Sequence, residues 1–220
     1  MIPLFIDALS NRLETPLPGW NAQKKMMIIP NRFSTGDESK GKPASVLLLL
    51  YPSDENWFFF LTVRSQNVEH HKGQISLPGG VAKDNESNES AAIRETNEEI
   101  GVDENVIKVI GNLTPFYVPV SNFRIFPFVG WTNKKPNTKV QDSEVKRIFS
   151  VSINDLMLES NSKVKQELFS DQLCTVPYFD LGGEIVWGAT SMILSEFKIC
   201  LLYTSPSPRD ATLSRMPSSA

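Results

Sequence analysis

Between Gly80 and Val102 the chain reads GVAKDNESNESAAIRETNEEIGV, and this stretch constrains the fold more tightly than any other. Residues 86 to 100 carry Ala91, Ala92 and Ile93 among polar residues and are followed by Gly101, the residue that best adopts the left-handed conformation just past a helix. The pattern predicts a capped helix over 86–100. On it, Glu95, Glu98 and Glu99 stand at i, i+3 and i+4 and share one face. Like charges at these spacings repel and weaken a helix by a few tenths of a kcal/mol per pair. A divalent cation reverses that sign, and hard oxygen ligands at this density suit Mg²⁺ or Mn²⁺. A solvated acidic face is the alternative reading of the carboxylates taken alone.

The flanking residues supply a mixed α/β pattern. Ile2, Phe5, Ile6, Leu9 and Leu13 recur at helical spacing ahead of Pro16 and Pro18, which predicts a helix over 2–14 on the outside of the core. A Gly-, Ser-, Asp- and Lys-rich stretch, 30–43, reads as a loop. The apolar runs 44–51 and 57–64, separated by PSDEN, read as buried strands. Further strands are expected over 106–120 and 123–131, with Pro115, Pro119 and Pro127 at bends or edges, and helices over 151–158 and 189–199. Interleaved strands and helices without repeats point to an α/β sandwich.

Charge and composition exclude several classes. Lys plus Arg total 22 against 25 for Asp plus Glu, without the basic excess that sequence-independent nucleic-acid binding needs. The longest apolar run, 46–51, is far short of the roughly 20 residues that span a bilayer. Asp7 interrupts the N-terminal apolar run, so no signal peptide is expected and the cytoplasm is the expected compartment. Cys174 and Cys200 form neither a disulfide framework nor a metal-binding pair; Cys174 reads as a small buried hydrophobe. From about residue 200 the composition changes abruptly. CLLYTSPSPRD (200–210) and LSRMPSSA (213–220) resemble a translated sequencing adapter, so 200–220 is expected to be a non-native tail, a natural Ser/Pro-rich tail being the alternative. The expected organisation is an N-terminal helix and loop over 1–40, one domain over 41–199, and the tail.

Gly80, Glu86, Arg94, Glu95, Glu98, Glu99 and Gly101 stand at the spacing of the Nudix box, and the chain resembles the Nudix hydrolase family. Thr96 takes a position where the family usually has an aliphatic residue. The resemblance implies a Nudix α/β/α sandwich with a mixed β-sheet and metal-dependent hydrolysis of a nucleoside diphosphate linked to another group. It implies Glu95 and Glu99 as metal ligands, with Glu98 binding a second ion or holding a water. Arg94 is expected to fork onto Glu86, and Gly79 and Gly80 to let the backbone approach the ion. Such ions neutralise phosphate charge and lower the pKa of a bound water.

Upstream, LTVRSQNVEHHKGQISLPGG (61–80) resembles the second signature of the coenzyme A pyrophosphatase branch, with Leu61, Thr62, Arg64, Ser65, Gly73, Pro78, Gly79 and Gly80 in place. Phe60, Leu77 and Glu69 depart from it, Glu69 by reversing a charge. TPFYVPVSNFRIFPFVG (114–130) and VWGATSMIL (186–194) also look like segments of that branch. The resemblance implies cleavage of coenzyme A or acyl-CoA to 3',5'-ADP and 4'-phosphopantetheine, with Arg64, Ser65, His71, Gly79 and Gly80 contacting substrate. Glu98, Glu144 and Arg94 are the expected catalytic residues. Phe116, Tyr117 and Phe123 are candidates for a wall against the adenine or pantetheine. Glu69 keeps other substrates open: ADP-ribose, NADH or a dinucleoside polyphosphate. A non-catalytic nucleotide-binding regulator is the rival of a different class. The expected partner is a small molecule rather than nucleic acid or membrane, and a homodimer stays open.

Overall fold

The computed structural model describes residues 2–29, 41–65, 73–169 and 171–204. The expectation for His71, together with Glu69 and His70, lies outside these residues, as does most of the stretch read as a loop over 30–43.

The sheet grows from β1 (Lys42–Ser53), whose run Val46 to Tyr51 is apolar on both faces. Such a run is stable only where both faces are covered. Leu48 and Leu50 point toward one apolar cluster with Phe5, Leu9, Leu194 and Phe197, while Leu47, Leu49 and Tyr51 point toward another with Ala92 and Ile100. Leu47 to Leu50 are all 0% exposed, and each such side chain contributes about 1.5–3 kcal/mol on burial. β1 pairs antiparallel with β2 (Asn56–Arg64), which in turn pairs with β3 (Ile75–Ser76). It also pairs antiparallel with β4 (Gly79–Val81).

The helix that follows, α3 by chain order after α1 (Leu4–Leu13) and α2 (Trp20–Gln23), spans Asn88–Ile100. Ser87 caps its start by accepting from Ser90 N–H, and Gly101 ends it at φ 71°, in the left-handed region. The helix starts two residues later than its periodicity predicts, because Glu86 is committed to contacts in the preceding turn. β5 (Lys108–Asn112), β6 (Phe116–Val118) and β7 (Phe123–Trp131) follow, with β7 parallel to β1 and antiparallel to β5 and β6. The run read as one strand over 106–120 divides at Leu113 to Pro115. Pro127 lies in the interior of β7 rather than at an edge. It faces that gap, where its carbonyl accepts from Leu113 N–H and no donor is asked of it. β8 (Val145–Ser152) pairs with β2 and completes a mixed sheet of eight strands among the described residues.

The rest of the chain departs from its sequence pattern in several places. The segment read as a helix over 151–158 begins as strand; Ser152 ends β8 and caps the short α4 (Ile153–Met157). α1 does not lie outside the core. Phe5, Ile6, Leu9 and Leu13 are at most 8% exposed and belong to it, with Phe5 against Trp57 at 5.2 Å between ring centroids. β9 (Ser162–Phe169), β10 (Gln172–Leu181) and β11 (Glu184–Val186) form a separate antiparallel sheet that the sequence pattern did not announce. The last helix, α5 (Gly188–Leu202), passes the expected end at 199: Cys200 and Leu201 are 0% exposed and packed in the core. With α1 and α5 on one face of the large sheet and α3 on the other, the architecture is an α/β/α sandwich with a mixed sheet, as expected. No described helix is long and apolar enough to cross a membrane.

Candidate functional site

The β4–α3 unit is held together by one guanidinium. Arg94 donates from Nε to Glu86 Oε1 (2.8 Å) and from Nη2 to Glu86 Oε2 (3.0 Å), a bidentate fork that ties the turn to the helix. Its Nη1 donates to Glu95 Oε1 (2.7 Å) and Glu98 Oε2 (2.8 Å), and Nη2 also reaches the Val81 carbonyl (3.2 Å). Lys83 closes the ring, its backbone N–H on Glu86 Oε2 (2.8 Å) and its Nζ on Glu98 Oε1 (3.3 Å). The Arg94 fork, with the Lys83 amide, holds the Glu86 carboxyl down at about pKa 2. The same contacts keep Arg94 firmly protonated.

The two glycines before the helix serve close approach. A Cβ on Gly79 would lie 2.2 Å from the Ser45 carbonyl oxygen and 2.6 Å from Val46 Cα, so β4 can press against β1 only as glycine. A Cβ on Gly80 would lie 2.5 Å from the Glu95 carboxylate, which therefore sits over the bare backbone. Gly79 N–H donates to Glu99 Oε2 (3.2 Å), and Arg64 Nη1, from the end of β2, stands 3.8 Å from Glu99 Oε1.

Glu99 is 2% exposed. Burial raises its pKa to about 8, against the Gly79 hydrogen bond and the Arg64 charge, and the nearby charges of Glu95 and Glu144 push the same way as burial. Glu95 is also raised, chiefly by burial and in spite of Arg94. Burial thus disfavours the bare carboxylate at Glu99 by more than the Gly79 hydrogen bond and the Arg64 charge together offset. Among the described residues no three His, Cys, Asp or Glu side chains are already grouped to hold a metal ion, and Arg94 takes one oxygen each of Glu95 and Glu98. The donor chemistry nonetheless fits a divalent cation: carboxylates of graded burial, one of them strongly disfavoured as a bare anion, beside a glycine that leaves room over the strand.

Of the residues named from sequence, Arg64, Gly79, Gly80, Arg94, Glu95 and Glu99 converge here, with Glu98 at the exposed rim. Ser65 follows Arg64, and its N–H donates to the Glu144 carbonyl (2.8 Å), which brings the 144 turn beside the site. Phe116, expected as part of a substrate wall, is 7% exposed and belongs to the core. Lys83 was missed. It is the one cation besides Arg94 between Gly80 and Val102, and charge counting could have singled it out.

The chain's likenesses agree with this geometry. Residues 41–172 match the NUDIX domain model. The chain is 30% identical over 166 residues to Nudix hydrolase 15, mitochondrial, of Arabidopsis thaliana, covering 72% of this chain and 58% of that protein. It is 30% identical over 161 residues to Nudix hydrolase 22, chloroplastic, of the same plant, covering 70% and 53%. The chain thus spans little more than half the length of these curated relatives. The solved structure of a MutT/nudix family protein from Enterococcus faecalis superposes with a TM-score of 0.51 at 16% identity, covering 84% of this chain and 71% of that one, a likeness of fold. A family match that takes in more than half of the chain and contains the whole strand–turn–helix unit organised by Arg94 leads to one conclusion: the chain belongs to the NUDIX family.

Proposed function

We propose that this protein is a Mg²⁺- or Mn²⁺-dependent hydrolase that cleaves the pyrophosphate of coenzyme A or an acyl-CoA into 3',5'-ADP and 4'-phosphopantetheine. The observation that carries the reading is the meeting of two distant segments at one carboxylate. Arg64, from the upstream segment, and Gly79, from the turn before α3, both address Glu99. Arg64 Nε is buried and has no hydrogen-bond partner among the described residues. A guanidinium beside acidic ligands and with a donor to spare suits a diphosphate.

Glu95 and Glu99 would hold the cation, with Glu98 holding the water beside it; the cation when bound neutralises charge developing on phosphate and lowers the pKa of that water. The chain's own residues do the rest. Arg94 keeps the carboxylates in register through Glu86, and Arg64 meets the diphosphate. Glu98, whose side chain is 48% exposed, takes up the water's proton at Oε1, where its partner Lys83 is itself exposed and weakly held. Glu144 adds negative charge beside Glu95 and Glu99, and in this reading assists as a second proton acceptor.

The test is a panel of coenzyme A, acetyl-CoA, ADP-ribose, NADH and a dinucleoside polyphosphate, each with Mg²⁺ or Mn²⁺, followed by product formation. The highest kcat/KM is expected for coenzyme A or its thioester. A higher value for any other compound would reject the substrate assignment while leaving the hydrolase reading in place.

A further inference from the structure

One buried polar group lies beside the site on β1. Along β1, Val46, Leu48 and Leu50 face α1 and α5, whereas Leu47, Leu49 and Tyr51 face α3. By the same alternation Ser45 faces α3. It is 0% exposed, and among the described residues its Oγ has no hydrogen-bond partner. Ser45 stands directly opposite Gly80 in the β1–β4 ladder. Opposed residues of an antiparallel pair put their Cβ positions ~5 Å apart on one face. The Cβ that Gly80 lacks would touch the Glu95 carboxylate. The Ser45 hydroxyl and the Glu95 carboxylate therefore lie on the same face of the β1–β4 ladder, on either side of Gly80.

A hydroxyl sealed from water without a partner is unfavourable, and an alanine would fill the same place without that cost. We propose that Ser45 is a positioning residue for the cation site: its hydroxyl donates to Glu95, directly or through one water, once the carboxylate turns from Arg94 to a divalent cation. The inference rests on the reading of Glu95 as a cation ligand. Serine acts here as a polar latch on the strand side, opposite Arg94 on the helix side, and Gly80 provides the opening between them.

The test is a substrate-free titration of the full chain with Mn²⁺, following the electron paramagnetic resonance signal of the free ion, for wild type and Ser45→Ala. The variant is expected to bind Mn²⁺ roughly three- to tenfold more weakly, with a metal-free Tm equal to or above that of wild type. Unchanged Mn²⁺ affinity would overturn the proposal. So would a fall in metal-free Tm that accompanies the weaker binding, since that marks Ser45 as a packing residue. Failure of wild type to bind Mn²⁺ would instead sink the reading of the site as a whole.

Discussion

At the scale of single residues, Glu99 concentrates the physics of the site. Its folded-state pKa of about 8 lies above the ordinary 4.5, so between those values the folded protein holds a proton that the unfolded chain releases. Stability from this group is therefore full below about pH 4.5 and is lost as pH rises through about 8. Glu86, held at about pKa 2, acts with the opposite sign: its contribution is present above about pH 4.5 and is lost as pH falls toward 2. Urea unfolding in chelator is expected to show wild type losing on the order of 2–4 kcal/mol between pH 5 and pH 8.5, with most of that decline absent in Glu99→Gln. A wild-type profile flat across this window would contradict the assignment. The cluster itself was readable from sequence because covalent spacing on one helix settles which carboxylates neighbour Arg94. Charge marks Lys83 as a residue but not its place, and nothing local marks Ser45, since both places depend on how the β4 turn and a strand about 40 residues before it pack against that helix.

Among elements, the Gly79–Gly80 pair divides two tasks between adjacent glycines. A methyl at 79 meets the backbone of β1, which cannot yield, whereas one at 80 meets the movable end of Glu95. Gly79→Ala is expected to lower stability by about 3 kcal/mol or more. Gly80→Ala should keep the fold within about 1 kcal/mol but displace Glu95 and weaken cation binding at least about tenfold. Thermal melts and a Mn²⁺ titration of both variants check this, and equal losses of Tm would refute the distinction. Legibility of the elements follows burial. β1 and β2 were readable because their apolar runs are covered on both sides. β9 was not, because its residues alternate between exposed and half-buried, with Val164 and Leu168 on the more exposed face and Lys165 and Glu167 on the other. β8 and α4 were confused because Ser152 ends one and caps the other, and apolar residues run through the junction.

In the molecule as a whole, the N-terminal segment is bound to the last helix by a buried acid. Glu196 of α5 is 0% exposed and accepts from Gly19 N–H, Gln23 Nε2, and the backbone N–H and Oγ1 of Thr114. Glu196→Ala strands these donors and is expected to cost about 3–5 kcal/mol, near 10 °C in Tm at this size. Mn²⁺ affinity of the still-folded protein should be unchanged, and a loss of affinity at temperatures well below the melt would contradict this. That network joins segments up to 177 residues apart, which explains why no local pattern announced it. The sandwich, by contrast, was legible from the order of apolar runs and the capped acidic helix. In the proposed function, the acidic face of α3 serves metal-dependent pyrophosphate cleavage. Its most direct test is release of 3',5'-ADP from coenzyme A in Mg²⁺ or Mn²⁺ by wild type, Glu98→Gln and Glu99→Gln, with folding checked by circular dichroism. Wild type is expected to turn over, with activity abolished by chelator and reduced at least about a hundredfold in both folded variants; full activity in both variants would contradict metal-dependent catalysis on this face.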